Sequence, residues 1–204
     1  MQTLPFSTES LAEAVAIIKR GGVIAHATET CYGLACDLTN MEAVEKLFHI
    51  KQRPVNQSVS ALFASVEQAK QCVEWNERAE VLAKKYLPGP LTLILPIRHD
   101  ARFIIFPSPS LNPSPTLGVR ISPHEHAALL SLTCPCPIST TSANLHGKPN
   151  PYSADDIVGQ FGEAKHQPDL ILDSGVLPQK PPSTVIDLTK EDGPKTVRSG
   201  EVRL

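Results

Sequence analysis

Apolar positions along the chain repeat in two ways, every three or four residues or in short continuous runs, and the two kinds of segment alternate. Residues 8–20 show the first pattern, with apolar side chains at positions 11, 14, 15 and 18, and predict an amphipathic helix. Thr8 or Ser10 is the expected N-cap, and Gly21-Gly22 is expected to end the helix. Residues 23–26 show the second pattern and predict a short buried strand.

The remaining elements follow from the same two patterns. Helices are predicted over 41–50, 65–73, 77–86, 123–132 and 153–161, and strands over 59–64, 91–95, 117–121, 138–141, 170–172, 184–188 and 196–198. Asn40 is an expected N-cap, Pro123 is expected in the first turn of its helix, and Ser153 with Asp156 matches a capping box. Because helices and strands alternate, we expect an α/β fold of the α+β type with a twisted mixed sheet flanked by helices.

A segment rich in proline and serine interrupts this pattern at residues 107–115. Proline there excludes regular helix and central strand. We expect this segment to be an irregular loop, and the sequence leaves open whether it is a mobile surface loop or a lid.

Length and charge limit the number of domains and the classes of partner that the chain can bind. The 204 residues are 41% hydrophobic and suffice for one sizeable core, so we expect one domain over 1–204. The formal net charge of -2 excludes attachment to nucleic acid by bulk charge, and an anion site must be a local patch. The chain lacks an apolar run of about 18 residues and a signal-peptide pattern at its beginning. We therefore expect a cytoplasmic protein without a membrane segment.

The familiar ligand motifs are absent. The chain has no glycine-rich phosphate loop of either common type and no nucleophile elbow. Its five cysteines are odd in number and irregularly spaced, which favours reduced structural thiols, and Cys134-Pro-Cys136 lacks the further ligands of a zinc site. His124-Glu125-His126 is not a zinc motif, and residues two apart on a helix do not face each other. We expect surface polar residues there, and no protein-bound metal.

Three polar clusters follow predicted strands or helices: residues 27–33, 51–54 and 139–144. Open α/β sheets bind ligands at strand ends. Two cations join them, Arg120 within a predicted strand and Arg198 at the end of another. Each has a simpler explanation: an ion pair for Arg120, a solvated helix end for Lys51 and Arg53, and a threonine-rich strand for 139–144. Together they suit a polyanion such as a nucleoside triphosphate, bound by side chains.

Seven short motifs, in this order along the chain, make it resemble the YrdC-like family: Thr28-Glu29-Thr30-Cys31-Tyr32-Gly33-Leu34, Lys51-Gln52-Arg53-Pro54, Pro88-Gly89-Pro90-Leu91-Thr92, Gly118-Val119-Arg120, Thr141-Ser142-Ala143-Asn144, Ser183-Thr184-Val185-Ile186-Asp187 and Arg198-Ser199-Gly200. The resemblance covers residues 8–200. It implies the YrdC-like fold with a concave basic groove, in the short form without an additional C-terminal domain.

Characterised members of that family are L-threonylcarbamoyl-AMP synthases. The resemblance implies that L-threonine and bicarbonate form N-carboxythreonine, which attacks the α-phosphate of ATP and releases pyrophosphate. ATP is then a substrate, accompanied by Mg²⁺. The product is passed to a threonylcarbamoyl transferase complex that modifies adenosine 37 of tRNA, and a weak direct contact with tRNA is a further implication.

The resemblance also implies residue roles. The expected ATP and phosphate contacts are Lys51, Arg53, Thr116, Thr140, Ser142, Asn144 and Arg198, and Lys51 and Arg53 are also the expected catalytic residues. The expected threonine contacts are Thr28, Thr30, Tyr32, Arg120 and Ser183, with Arg120 meeting the carboxylate. On this basis Lys51→Ala is expected to weaken nucleotide binding or transition-state stabilisation by about 1.5–3 kcal/mol and to leave the melting temperature almost unchanged.

The chain departs from the family pattern at two places, and two alternative functions stay open. Residues 56–59 differ from the usual family pattern, and Ala27 replaces the usual proline. A module of the same fold that binds tRNA or double-stranded RNA is one alternative, although the net charge and the 5% aromatic content weigh against it. A carbamoyl-transfer domain that uses carbamoyl phosphate is the other.

Overall fold

Ten strands and six helices form within residues 1–52, 59–101, 115–190 and 193–203, which are the residues that the structure, a computed structural model, describes. The strands are β1 (Gln2–Pro5), β2 (Ile24–Ala27), β3 (Tyr32–Ala35), β4 (Ser60–Leu62), β5 (Leu91–Pro96), β6 (Thr116–Arg120), β7 (Ile138–Ser142), β8 (Leu170–Asp173), β9 (Thr184–Asp187) and β10 (Lys195–Arg198). The helices are α1 (Thr8–Lys19), α2 (Met41–Lys51), α3 (Val66–Lys70), α4 (Glu77–Tyr86), α5 (Glu125–Thr133) and α6 (Ala154–Phe161).

The strands form one mixed sheet in the order β1-β8-β2-β3-β7-β4-β6-β5-β9-β10. The pairs β1/β8, β2/β8, β4/β6 and β5/β9 are parallel, and the other neighbours are antiparallel. The predicted α/β class and mixed sheet are confirmed. This order brings β3, β7, β4, β6, β5 and β9 side by side, although they come from distant parts of the chain.

Apolar side chains pack on both faces of the sheet. Ile24 belongs to a cluster with α1 and α5, whereas its neighbour Ala25 belongs to a larger cluster with α2 and α6. Successive residues of a strand point to opposite faces, so the helices cover both sides. No helix in the described ranges is long and apolar enough to cross a membrane.

The N-terminal caps agree with the sequence patterns in two cases and differ in one. Asn40 caps α2 through its side chain, and Ser153 and Asp156 form the expected capping box of α6. The expectation for α1 is wrong: Ser7 is the N-cap, and Ser10 completes its capping box from inside the helix. Ser7 satisfies the free backbone N–H of the first turn, which a residue inside the helix is not placed to do.

The start of α5 also differs from the prediction. The helix begins at Glu125, so Pro123 lies outside it and His124 is the residue before the first turn. Because His124 is not helical, the rule for residues two apart does not apply. The rings of His124 and His126 meet edge to face at 5.2 Å, and His126 stacks on Phe6 at 3.5 Å. The expectation that the two side chains do not face each other is therefore wrong.

Two strands were not predicted. β1 adds to the sheet beside β8 although its sequence has no apolar run. Only four residues separate β3 from β2. β3 starts inside the segment predicted as a polar cluster, and it pairs with β2 and β7. The predicted loop at 107–115 lies, except for its last residue, outside the described residues.

Candidate functional site

A cavity of about 420 Å³ lies where several strands and one tight turn come together. Its walls are the turn between β2 and β3, the strands β3 to β7, and β9 and β10 with nearby loop residues. Serine and threonine side chains dominate this lining, and Arg120 and Arg198 are the charged side chains among its described residues. A site with these groups can bind an anion through hydroxyl and guanidinium donors.

Seven residues expected from the sequence lie in this lining. Four of them are expected contacts of the amino acid: Thr28, Thr30, Arg120 and Ser183. Three are expected contacts of the nucleotide: Thr140, Ser142 and Arg198. The fold thus gathers them into one cavity from five separate segments of the chain.

The other five expected residues have different places. Arg53 lies outside the described residues. Tyr32 is buried and donates its hydroxyl to Gly175 O at 2.8 Å, away from the cavity lining. Thr116 starts β6 and, like Lys51 and Asn144, is not among the residues that line the cavity.

Lys51 connects to the cavity through β7. Its buried ammonium donates to Asn144 O at 3.0 Å, to Asn144 Oδ1 at 3.1 Å and to Ser142 O. Ser142 Oγ donates to the same Oδ1 at 2.6 Å. The expected pair Ser142 and Asn144 and the expected cation are therefore brought together, in one hydrogen-bonded group in which Lys51 holds the end of β7.

Arg120 forms a buried ion pair with Glu29. The side chains are 7% and 11% exposed, and Ser122 Oγ donates to the second carboxylate oxygen of Glu29. Burial alone would raise the pKa of Glu29, but the Arg120 charge and the hydrogen bonds from Ser122 and Arg120 bring that pKa below its usual range. The ion pair that the sequence left open as a simpler explanation for Arg120 is therefore present. Arg120 also lies in the cavity wall.

The turn between β2 and β3 is closed by the hydroxyl of Thr28. That hydroxyl donates to Cys31 O at 2.6 Å and accepts from the backbone N–H groups of Thr30 and Cys31. Since its only hydrogen is used, the hydroxyl of Thr30, 3.0 Å away, is the donor between the two side chains. Thr28 therefore shapes this wall of the cavity, and a ligand can meet it only through the remaining surface of its side chain.

A hydroxyl pair on the opposite wall retains a spare donor. Thr92 Oγ1 and Ser183 Oγ lie 3.0 Å apart, and Arg198 donates to Ser183 Oγ at 2.8 Å and to Ser183 O at 3.0 Å. Ser183 and Thr92 have two hydroxyl hydrogens and share one hydrogen bond, so one hydrogen remains for a ligand. Thr92 is thus a candidate contact that sequence reasoning did not select.

Arg198 differs from Arg120 in its partners. In the part of the chain that the structure describes, it contacts only oxygen atoms of Ser183 and no carboxylate. Desolvation and the neighbouring charge of Arg120 lower its pKa. A cation with neutral partners beside a second cation favours binding of an anion between them.

Cys31 lies in the same cavity lining as Arg120 and Arg198. Burial raises the pKa of its thiol, whereas the charges of Arg120, Lys51 and Arg198 act in the opposite direction.

All five cysteines are free thiols whose pKa is raised, in each case mainly by burial. This agrees with reduced, structural thiols. Among the described residues, no three histidine, cysteine or acidic side chains are grouped as a metal site requires.

Several lining residues were missed by the sequence analysis. Ser60, Gly118 and Asn150 belong to the cavity wall together with Thr92. Gly118 lies within a family motif, and its lack of a side chain is required: a Cβ atom there would lie 2.4 Å from Ser60 Oγ. The position of Thr92 just after Pro-Gly-Pro-Leu was a usable signal, whereas nothing in the local sequence marks Asn150.

A family model and curated proteins of known name are similar to this chain over most of its length. The family model Sua5/YciO/YrdC, described as "Telomere recombination", matches residues 16–200. A threonylcarbamoyl-AMP synthase of Pyrococcus abyssi is 37% identical over 193 residues, which are 94% of this chain and 54% of that protein. A threonylcarbamoyl-AMP synthase of Photobacterium profundum is 32% identical over 159 residues, 76% of this chain and 83% of that protein.

Solved structures agree with the fold. P. abyssi Sua5 in complex with L-threonine has a TM-score of 0.83 and 34% identity, over 98% of this chain and 56% of that one. E. coli YciO has a TM-score of 0.81 and 27% identity, over 98% of this chain and 93% of that one. The chain spans about half the length of the first curated relatives that it matches.

Proposed function

Because the chain belongs to the Sua5/YciO/YrdC family, we propose that it is a nucleotidyltransferase that makes threonylcarbamoyl-AMP from L-threonine, bicarbonate and ATP. The observation that carries the proposal is the shared cavity, whose lining contains four expected contacts of the amino acid and three expected contacts of the nucleotide. The two relatives named as threonylcarbamoyl-AMP synthases, together with the threonine complex of P. abyssi Sua5, support the same substrate.

The proposed reaction needs no nucleophilic side chain. The amine of threonine condenses with bicarbonate to N-carboxythreonine with loss of water, and the new carboxylate oxygen then attacks the α-phosphate of ATP while the bond to the leaving pyrophosphate breaks. Both reactants are anionic, so their approach is opposed by charge repulsion. Fixed cations and hydroxyl donors reduce this repulsion and stabilise the charge on pyrophosphate, and holding the reactants together supplies much of the remaining acceleration.

Arg198 is the residue best placed to bind phosphate oxygens, whereas Ser142, whose hydroxyl hydrogen is donated to Asn144 Oδ1, shapes the cavity wall. Arg198 has no carboxylate partner in the described chain, and Ser142 lies in the group held by Lys51. Exclusion of water also matters in this proposal, because carbamates lose carbon dioxide and mixed anhydrides hydrolyse in water.

Mg²⁺ accompanies ATP in this proposal as part of the substrate. The described residues offer no group of three ligating side chains, so the phosphate oxygens and waters are expected to hold the ion. This agrees with the preference of Mg²⁺ for phosphate and water over a complete protein cage. Its contribution is to neutralise charge on the phosphates.

The product is an unstable mixed anhydride, so we expect its transfer to a tRNA-modifying threonylcarbamoyl transferase complex. The cavity provides no aromatic stacking surface among its described residues, which does not favour direct recognition of single-stranded RNA. We therefore expect at most a weak tRNA contact. Because the reaction uses ATP and serves tRNA, we expect it in the cytoplasm.

The test is pyrophosphate release measured through coupled pyrophosphatase. We expect release to require ATP, bicarbonate and L-threonine together and to fall strongly when L-valine replaces L-threonine. Arg198→Ala should remove most activity, whereas the control Arg98→Ala, which removes an exposed partner of Asp100 outside the cavity, should not. Threonine-independent release, or turnover driven by carbamoyl phosphate, would contradict the proposal.

A further inference from the structure

Glu29 occupies a special place behind the cavity wall. It is not among the residues that line the cavity, but it is the acidic partner of Arg120, which does line it. We propose that Glu29 is a positioning residue that aims the guanidinium of Arg120 at the carboxylate of the amino-acid substrate. This inference deepens the proposed function and rests on it, since it assigns a role in binding the same substrate.

The hydrogen bonds of Arg120 show how its orientation is fixed. Nη1 donates to the carbonyl oxygens of Gly89 and Leu91, and Nη2 donates to Glu29 Oε1. Arginine has five N–H groups in a fixed plane, so these three bonds leave one N–H on Nη2 and the N–H on Nε. Two such donors match the two oxygens of a carboxylate. Glu29 is the contact that sets the Nη2 side of this plane.

Glu29 is itself held from the far side. Its Oε2 accepts from Ser122 Oγ, and the same Oγ accepts from the backbone N–H of His124 at 3.1 Å. A continuous series of bonds therefore leads from the residue that precedes α5, through Ser122 and Glu29, to Arg120. The two charged side chains are only 7% and 11% exposed, so water does not readily replace these contacts.

A purely structural ion pair would not require this arrangement. Replacement of a buried pair by apolar residues is often neutral or stabilising, so burial of the pair in the wall of a cavity is not explained by stability alone. The pair also leaves two N–H groups of Arg120 unused, and Arg120 lines the same cavity as the second cation, Arg198. The geometry is that of a cation prepared for a carboxylate before the ligand arrives.

Glu29→Gln tests the role with little change in volume. At the two positions that Oε1 and Oε2 of Glu29 occupy, an amide presents one oxygen and one NH2 group, so it can accept at only one of them, and either Arg120 or Ser122 loses its acceptor. We expect the dissociation constant for L-threonine to rise about tenfold, because one charge-assisted hydrogen bond is weakened. ATP binding and binding of L-threoninamide, which lacks the carboxylate, should change less than twofold.

Three further variants separate this positioning role from general damage to the cavity. Ser122→Ala should act in the same direction with a smaller effect, and Glu29→Asp should retain more threonine affinity than Glu29→Gln. Glu80→Gln, which changes an ion pair with Lys70 away from the cavity, should leave the affinity for L-threonine unchanged. Should Glu29→Gln fail to fold, Ser122→Ala carries the same test.

Calorimetric titration distinguishes the outcomes. Unchanged or tighter threonine binding in Glu29→Gln overturns the positioning role, since tighter binding means that Glu29 mainly repels the substrate carboxylate. Equal weakening of L-threonine, L-threoninamide and ATP also overturns it, as general damage to the cavity. If the unmodified protein binds ATP but not L-threonine, the proposed function fails first and this inference fails with it.

Discussion

Replacing Lys51 with methionine removes a buried ammonium and keeps most of the side-chain volume. Lys51 is 4% exposed, and its ammonium donates to Asn144 O, to Asn144 Oδ1 and to Ser142 O. The methionine variant leaves these three oxygen atoms without that donor. The sequence alone suggested a nucleotide contact whose loss spares stability, whereas the structure predicts a loss of stability as well.

The size of the effect follows from opposing contributions. Hydrogen bonds to a charged group contribute about 1.5–3 kcal/mol each, and leaving buried acceptors unpaired costs about 1–3 kcal/mol per group. Against this, methionine avoids the cost of burying an ammonium, which is several kcal/mol. We expect a net loss of about 3 kcal/mol in the free energy of unfolding. For a chain of 204 residues this lowers the melting temperature by roughly 6–12 °C.

Two measurements check this expectation on the same sample. Chemical denaturation gives the free energy of unfolding, and calorimetric titration well below the lowered melting temperature gives the dissociation constant for ATP. We expect both to change, because Ser142 lies in the cavity lining and loses its support. Lys70→Met, which removes a half-exposed partner of Glu80, is the control. An unchanged unfolding free energy in Lys51→Met would refute the reasoning.

Two further variants and one chemical modification test the fold and the cavity. Burial lowers the pKa of His26 to about 4 from the ordinary value of 6.5; the unfolded chain binds this proton first, so stability should fall by about 3 kcal/mol between pH 6.5 and 4, and denaturation of His26→Phe should show a flatter dependence. Gly118→Ala places a Cβ atom 2.4 Å from Ser60 Oγ and should cost about 1–3 kcal/mol in denaturation experiments while weakening ligand binding. Burial raises the pKa of Cys31, so mass spectrometry should find slow alkylation at pH 7, slower still with ATP and threonine; rapid alkylation would contradict its buried position.

The sequence predicted the fold class and most elements because local patterns determine them. The caps at Asn40 and Ser153 are local, since the capping side chain and the N–H that it accepts are three residues apart. β1 has no such signal: its burial is low, and it becomes a strand through pairing with β8. β3 was missed because the turn before it is polar and short, and the strand is defined by partners on β2 and β7.

The site was predictable as a set of residue types and not as a set of contacts. Thr28, Arg120 and Arg198 were placed in one site from their motifs, and the cavity contains all three. The partner of Arg120 lies 91 residues away in the chain, and no local pattern links it to Glu29. The role of Lys51 likewise depends on carbonyl oxygens more than 90 residues away in the chain, which the tertiary fold brings within reach.

The most direct test of the central claim is detection of the product itself. The protein is incubated with ATP, L-threonine and ¹³C-labelled bicarbonate, and the mixture is examined at once by mass spectrometry. We predict threonylcarbamoyl-AMP that carries the labelled carbon and forms only when all three substrates are present. Release of ADP or AMP without this product, or a product that lacks the label, would contradict the claim that the cavity joins an amino acid, bicarbonate and a nucleotide.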